Sequence, residues 1–325
     1  MNSRIKFRIM GIVLSFFMVI GTVLPTSAET NYENALLELA NSKINITEQI
    51  DEYGVCTTTY TSLDVFVADA KQLYPEISEN ELATFLLKYT GQDYEAVPEE
   101  EYLKCLSYDN ITVSSSYVRV DQEGNSQVLD NDVLPYATWE STDGYMRITT
   151  IYSYDKTVGS KKYYVIAATA KWLKYPLVAL GDAFALGTTG TFDSTYNEGG
   201  KVSQKYYCSV CDKTITKNRS VSSSDTSDGD LKMKYDSNLP SLTFTPKQPV
   251  CSTCNKTGTH KLFTAYLTYR IRISDDATIY AAYGHKTVGA GSIDVSYSDK
   301  KISFASSVVG TKITNYSARP VTITY

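Results

Sequence analysis

Histidine is nearly absent from this chain, with His260 and His285 the only two among 325 residues. A nucleophile activated by an imidazole base would have to use one of them, and neither stands in a recognisable motif. The sequence also lacks the Gly-x-Ser-x-Gly, His-Glu-x-x-His and phosphate-binding glycine-loop patterns. These absences favour a protein that is not an enzyme, with a hydrolase that lacks a recognisable motif as an alternative.

Dense clusters of positive charge are missing as well. Residues 29–110 carry 17 acidic residues against 4 lysines, whereas residues 111–325 carry a net charge of +5 that is spread along the chain. This distribution argues against a nucleic-acid ligand and divides the chain into two differently charged units. The adjacent Asp275 and Asp276 could serve a glycosidase, but neighbours on a strand point to opposite faces, so this pair predicts a turn.

The sequence has a single long apolar run, and it stands near the start. Basic residues within positions 1–8 precede an apolar stretch over residues 9–24, which is too short for a comfortable membrane span. Small residues then lead to Ala28, after which we expect cleavage. Residues 1–28 therefore predict a signal peptide and a secreted protein with no stable membrane span after cleavage. A retained anchor is the alternative.

Residues 29–110 predict a small acidic helical domain. Apolar residues recur at helical spacing in two central segments, and the second opens with Ser78 and Glu81 at the spacing of a capping box. Pro98, followed by three glutamates, indicates the start of another helix. An amphipathic stretch over residues 32–53 predicts a fourth helix, and four short helices can bury a small core together.

The pattern changes after this unit. Residues 111–135 predict a linker or hairpin, and residues 136–325 contain short alternating segments bounded by turn residues. In "AYLTYRIRI", for example, Leu267, Tyr269 and Ile271 alternate with polar or aromatic neighbours. The predicted class is α+β: a small N-terminal helical unit followed by an antiparallel β-sandwich with a four-cysteine insertion at residues 197–259. The segment "YSDKKIS" predicts a hairpin turn around Asp299 and Lys300.

The insertion carries two Cys-x-x-Cys pairs, formed by Cys208, Cys211, Cys251 and Cys254. Each pair is followed by a turn-tolerant residue, Asp212 or Asn255, and the segments resemble the knuckles of zinc-ribbon proteins. In such knuckles two thiolates on one tight turn take two corners of a tetrahedron. The resemblance implies a structural zinc ion, because four thiolates leave no open position for water.

The cysteines of the chain admit other assignments. Two cross-linking disulfides are the rival, because export favours oxidation. A thioredoxin-like redox site needs a helix after the first pair, and "DKTITKNR" does not predict one. His260 could replace a thiolate, although four cysteines already fill the site. The remaining cysteines, Cys56 and Cys105, could form a disulfide or remain two buried thiols, and both alternatives stay open.

Tyrosine is abundant, with 27 tyrosines against 10 phenylalanines. Its apolar ring and polar tip suit a wet surface that binds sugar or protein, although tyrosine also fits half-buried sheets without any binding role. The β half resembles uncharacterised secreted proteins of Gram-positive bacteria in two segments, "KWLKYPLVALGDAFALG" (171–187) and "TIYAAYGHKTVG" (278–289). That resemblance implies secretion and carries no assigned activity.

The leading prediction is a secreted, non-enzymatic protein that binds a protein or carbohydrate ligand at the cell surface and contains a structural zinc site. A membrane-active, toxin-like β protein is the alternative, because residues 176–192 are apolar, glycine-rich and able to form an amphipathic hairpin.

Overall fold

A computed structural model describes residues 27–50, 56–120, 126–129, 144–174, 180–193, 199–222, 225–236, 239–246 and 250–325. The chain divides into two compact units, residues 1–42 and 43–325. The described part of the first unit, residues 27–42, lies in helix α1 (Ser27–Lys43). Nearly all of the predicted signal peptide lies outside the described residues. No helix in the described ranges combines the length and apolar character needed to cross a membrane.

The second unit contains the helices α2 (Leu63–Leu73), α3 (Glu79–Tyr89) and α4 (Glu99–Lys104), the last running into a 3-10 turn, Cys105–Ser107. The capping box at the start of α3 is confirmed. The Glu81 backbone N–H donates to Ser78 Oγ at 3.2 Å, and the Ser78 N–H donates to the Glu81 carboxylate at 2.8 Å. Two of the four orphan N–H groups near this helix start are thereby satisfied.

The predicted helix over residues 32–53 is wrong beyond Lys43. Strand β1 (Asn45–Ile50) begins two residues later and pairs antiparallel with β2 (Cys56–Thr61). The segments "NITEQI" and "CTTTYT" are rich in β-branched residues, which suit a pleated strand. Pairing with the neighbouring strand therefore overrides the helical spacing of the apolar residues in this segment.

Within the described residues, the larger sheet has ten strands. Besides β1 and β2, it contains β3 (Asn110–Val120), β4 (Ser126–Leu129), β5 (Tyr145–Val158), β6 (Lys161–Lys174), β8 (Thr191–Phe192), β9 (Gly199–Cys208), β10 (Lys213–Ser222) and β14 (Thr259–Ile273). Their order is β1-β2-β3-β5-β6-β14-β9-β10, with β4 beside β3 and β8 beside β14. Strand pairs are antiparallel throughout the described residues, as predicted for this class.

In the part of the chain that the structure describes, the smaller sheet has seven strands. They are β7 (Asp182–Thr188), β11 (Ser227–Asp228), β12 (Leu231–Asp236), β13 (Leu239–Phe244), β15 (Ala277–Val288), β18 (Lys312–Ser317) and β19 (Val321–Ile323). The main path is β11-β12-β13-β7-β15-β18, and β19 pairs with β15. A separate hairpin joins β16 (Asp294–Ser298) to β17 (Lys301–Ala305). Its turn residues, Asp299 and Lys300, both have positive φ, which confirms the predicted turn.

The two sheets pack face to face around one hydrophobic core, which confirms the predicted α+β class with an antiparallel sandwich. Both sheets contribute buried side chains, among them Ile148, Ile166 and Leu267 from the larger sheet and Phe184, Leu242 and Tyr283 from the smaller one. The described residues of segment 197–259 show no core of their own. Its strands join both sheets, and Val202 and Leu231 enter the shared core. Few apolar residues are therefore enough to fold it.

The other face of the larger sheet meets the acidic segment between α3 and α4. The Asp93 carboxylate lies 3.3 Å from Lys171 Nζ, and Glu95 forms an ion pair with Lys205. Lys201 Nζ donates to the Val97 carbonyl at 3.2 Å. Acidic residues from the first half of the sequence thus form ion pairs with basic residues from the second half within one unit.

Candidate functional site

The two Cys-x-x-Cys pairs lie on two similar turns. Cys208 is the last residue of β9 and pairs with Lys213, the first residue of β10, so Cys211 sits within the connecting turn. The second turn is closed by a hydrogen bond from the Asn255 N–H to the Cys251 carbonyl at 2.8 Å. An isolated bridge between Val250 and Thr257 brackets it.

A left-handed residue follows each pair. Asp212 has φ +51° and Asn255 has φ +55°. Aspartate and asparagine adopt this conformation more readily than other side chains, because their short polar groups can hydrogen-bond locally. The Asp212 carboxylate also accepts a hydrogen bond from Tyr207 Oη at 2.6 Å. The residue types after each pair therefore match the backbone that the two turns require.

The four sulfurs converge, and all four cysteines are free. Their Sγ atoms lie within 4.8 Å of one another. Cys208 and Cys254 are separated by 3.4 Å, and Cys211 and Cys251 by 3.8 Å. Four sulfurs at 2.3 Å from a zinc ion would be about 3.8 Å apart in a regular tetrahedron. The four cysteines are hence compatible with a metal site, and soft thiolate ligands suit zinc among common ions.

The backbone favours negative charge on one of these sulfurs. The N–H groups of Thr253 and Cys254 hydrogen-bond Cys251 and lower its pKa to about 6. The hydrogen bond between Cys211 and Cys254 raises the pKa of Cys211 to about 12. Cys208 and Cys251 are buried and the other two are half-buried. A closed set of four sulfur ligands can hold a metal ion but offers no position for a reacting water.

Of the candidate side chains that the structure describes, Asp275 and Asp276 do not join this cluster of sulfurs. His260 pairs with Tyr206 between β14 and β9, and its side chain lies outside the described part of the chain. Asp275 and Asp276 are exposed in the turn that connects β14 to β15, as the sequence predicts. The Asp276 carboxylate accepts a hydrogen bond from the Tyr325 N–H at 2.8 Å.

Cys56 and Cys105 are both free, so the structure contains no disulfide between them. Cys105 is buried, as its place on the apolar face of its helix predicts, and its sulfur donates to the Tyr102 carbonyl at 2.6 Å. Burial raises the pKa of Cys105 to about 12. Cys56 is half-buried in β2. Its burial, and to a smaller extent the charge of Glu48, raises the pKa of its thiol. Both residues therefore favour the unreactive thiol.

A second cluster of polar side chains, which the sequence does not predict, lies inside the sandwich. We call Trp172, Asp182, Tyr283 and His285 the buried polar network. One Asp182 oxygen lies 2.5 Å from His285 Nδ1, and the other accepts from Tyr283 Oη at 2.5 Å. Trp172 Nε1 donates to the same tyrosine hydroxyl at 3.2 Å. A carboxylate buried to this degree is satisfied by its two partners.

A signal for this network was present in the sequence. The segments 171–187 and 278–289, which carry the resemblance to secreted proteins, contain all four of its residues. Asp182 and His285 face each other in the register of β7 and β15. The pairing that joins them could not be read from either segment alone.

Tyrosines on the core-facing side of the larger sheet form an open cavity of about 550 Å³. We call this cavity the tyrosine groove; it is lined by Thr59, Thr112, Tyr152, Tyr154, Lys162 and Tyr164, among others. Thr59 pairs with Thr112, and Thr112 with Tyr152, so the groove crosses β2, β3 and β5. Tyr152 also pairs with the core residue Ile166. The groove therefore borders the core.

The segment considered for membrane activity, residues 176–192, contains the buried strand β7. All seven residues of β7 are buried, and the strand pairs with β13 on one side and β15 on the other. Asp182 begins this strand and belongs to the buried polar network. In this structure residues 182–188 of the segment form an interior strand of the smaller sheet.

No family model matches the chain, and no curated protein matches its sequence. Among solved structures, it is similar to one described as a pore-forming protein, at 8% identity and TM-score 0.24, over 64% of this chain and 91% of that chain. It is similar to the NetB toxin of Clostridium perfringens in its membrane-inserted form, at 9% identity and TM-score 0.20, over 62% of this chain and 95% of that chain. It is also similar to a pilus backbone of Streptococcus pneumoniae, at 9% identity and TM-score 0.23, over 65% of this chain and 75% of that chain. These TM-scores are too low to support an argument.

Proposed function

We propose that this chain is a secreted, non-enzymatic protein that binds a ligand at a cell surface through the tyrosine groove. We propose further that Cys208, Cys211, Cys251 and Cys254 hold one structural zinc ion. The observation that carries the binding proposal is the grouping of Tyr152, Tyr154 and Tyr164 at an open cavity. A clustered set of tyrosines at a wet surface is what a binding role requires.

The position of Tyr152 and Tyr154 separates them from the buried tyrosines, whereas Tyr164 belongs to the core and borders the cavity. Tyr206, Tyr269, Tyr283 and Tyr316 are among the largest fully buried side chains and serve the core. Tyr152 and Tyr154 are half-buried, packing against the core on one side and lining the cavity on the other. A tyrosine in this position keeps part of its ring available for a ligand, while its hydroxyl hydrogen-bonds within the lining.

Zinc is supported by the mutual distances of the four sulfurs and by the paired left-handed turns. The ion would tie the turn between β9 and β10 to the turn that precedes β14. These turns are 40 residues apart at Cys211 and Cys251. The ion would bind only where folding brings the two turns together, so its binding free energy would favour the folded chain. The proposed role is therefore structural.

The zinc proposal is tested by metal content and thiol count on full chain purified without reducing agent. We expect one zinc per chain and four thiols that react only after chelation. Cys56→Ser and Cys105→Ser variants provide the control, since both residues lie outside the cluster. A protein without metal whose four cluster cysteines resist thiol reagents until reduction would show two disulfides and refute the proposal.

The binding proposal is tested with labelled full chain on Gram-positive cells, before and after protease treatment of the cell surface. We expect saturable binding that the double substitution Tyr152→Ala and Tyr154→Ala abolishes. Tyr163→Ala is the matched control, because Tyr163 neighbours Tyr164 on β6 and points to the opposite face. Equal binding by the groove variant and the control would refute a role for the groove, provided both variants unfold cooperatively.

A further inference from the structure

We propose that the ligand of the tyrosine groove is a neutral carbohydrate. This inference rests on the proposed binding function and narrows the ligand to one chemical class. Three properties of the groove carry it: the polar groups of its lining, the arrangement of its aromatic rings, and its charge.

The polar lining consists mainly of uncharged groups that both donate and accept hydrogen bonds. Gln49 and Asn110 contribute amides, and Thr59, Thr112 and Thr157 contribute hydroxyls. Amides and hydroxyls match the hydroxyl groups of a sugar, each of which is itself a donor and an acceptor. Polar groups of this kind fix the orientation of a ligand in a pocket.

These hydroxyls already interact with one another. Thr59 Oγ1 lies 3.2 Å from Thr112 Oγ1, and Thr112 also hydrogen-bonds with Tyr152. On the next part of the lining, Tyr154 Oη lies 2.7 Å from Thr157 Oγ1. A lining that is ordered before binding loses less side-chain entropy when a ligand arrives.

The aromatic rings support each other in the same way. The Tyr164 ring contacts Tyr152 and Tyr154 edge to face, with centroids 6.2 Å and 5.8 Å apart. Such contacts are favourable in themselves and hold the rings in place. The C–H groups of a pyranose ring carry partial positive charge and pack well on the electron-rich face of an aromatic ring.

The charge of the groove lining indicates which class of sugar it suits. Of the described residues that line the groove, Lys162 alone is charged, and its Nζ lies 4.6 Å from the ring centroid of Tyr325. A cation held over an aromatic ring is partly engaged already. One such lysine gives little attraction for a phosphate-rich or polyanionic chain, which clusters of basic residues usually bind. The groove therefore suits an uncharged glycan.

Calorimetric titration with neutral oligosaccharides of glucose, mannose, galactose and N-acetylglucosamine tests this inference, with heparin as the anionic comparison. We expect saturable binding to at least one neutral series that is insensitive to salt. The substitutions Asn110→Ala and Thr112→Val should each weaken it about tenfold. The first removes an amide of the lining, and the second removes the buried hydroxyl that hydrogen-bonds with Thr59 and Tyr152. Tyr163→Ala on the opposite face should leave it unchanged.

The possible failures are distinguishable. Protease-sensitive cell binding through the groove, without binding to any neutral glycan, would overturn the carbohydrate inference and leave the binding function standing with a protein ligand. Salt-dependent binding to heparin alone would also overturn it. Glycan binding that Asn110→Ala and Thr112→Val do not weaken would refute the assignment to this groove. Absence of both cell binding and glycan binding would refute the proposed function itself.

Discussion

The four-cysteine cluster and the buried polar network are both groups of converging polar side chains, but they are assembled over different distances in the sequence. Each cysteine pair occupies one short turn, and the spacing of its two cysteines predicts the geometry of that turn. In the network, Asp182 meets Tyr283 across 101 residues and Trp172 meets Tyr283 across 111. A site made of local turns can be recognised in the sequence, whereas a site made by strand pairing cannot.

The two regions also differ in how their polar atoms are satisfied. The Asp182 carboxylate finds both of its partners within the protein. The four sulfurs lie within reach of one another, and on our proposal they require a cation to bring them together as thiolates. We therefore expect the cluster to respond to a chelator, and the network to respond only to changes in its own side chains.

The largest effect is expected from removal of the metal. Chelation, or Cys251→Ser, should lower the free energy of unfolding by about 4 kcal/mol or more, the linkage expected when metal exceeds its dissociation constant a thousandfold. Denaturant unfolding of the treated and untreated full chain measures this. Cys56→Ser should show no sensitivity to chelator beyond that of the wild type. If chelator leaves wild-type stability unchanged, the cluster does not depend on a metal.

Asp182→Ala tests the buried polar network. It leaves Tyr283 and His285 without their buried acceptor, and we expect a loss of about 3 kcal/mol in the free energy of unfolding. The exposed Asp275→Ala should change stability by no more than about 0.5 kcal/mol. Equal stabilities of the two variants would mean that the network contributes little. Chelator should affect both variants as it affects the wild type.

Much of the fold follows from residue patterns that the structure bears out. Leu267, Tyr269 and Ile271 alternate in the sequence and are fully buried on the core side of β14. The paired turns after Cys211 and Cys254 were also visible, because Asp212 and Asn255 tolerate positive φ. Each of these features depends on residues only a few positions apart.

The features that were missed depend on neighbours far away in the chain. Every residue of strand β1 is exposed, so no alternation of buried and exposed residues identifies it as a strand. Its place in the sheet depends on its pairing with β2. The tyrosine groove depends on which part of the larger sheet the smaller one covers. Tyr152 and the fully buried Tyr269 look alike in the sequence, and only the packing of the two sheets distinguishes them.

Substitutions at Asn255 sharpen the claim that the cysteine turns are local. Asn255→Val places a β-branched side chain at φ +55°, where we expect a backbone cost of roughly 1–2 kcal/mol. Zinc affinity, measured by competition with a chromogenic chelator, should fall roughly tenfold or more. Asn255→Gly removes the steric cost and should retain affinity. If valine and glycine behave alike, the left-handed turn is not what positions the second cysteine pair.

The smallest effect is expected at a local motif that needs neither a metal nor a distant partner. Ser78→Ala removes the hydroxyl that caps α3, and we expect a loss of about 1 kcal/mol in the free energy of unfolding. Hydrogen bonds from the Ser78 side chain and backbone lower the pKa of Glu81, so this contribution is present above the carboxyl's unfolded pKa. It is lost as pH falls through the lowered value. The difference between wild type and Ser78→Ala should accordingly narrow in acid, and a difference that grows there would contradict the role of the ionised carboxylate.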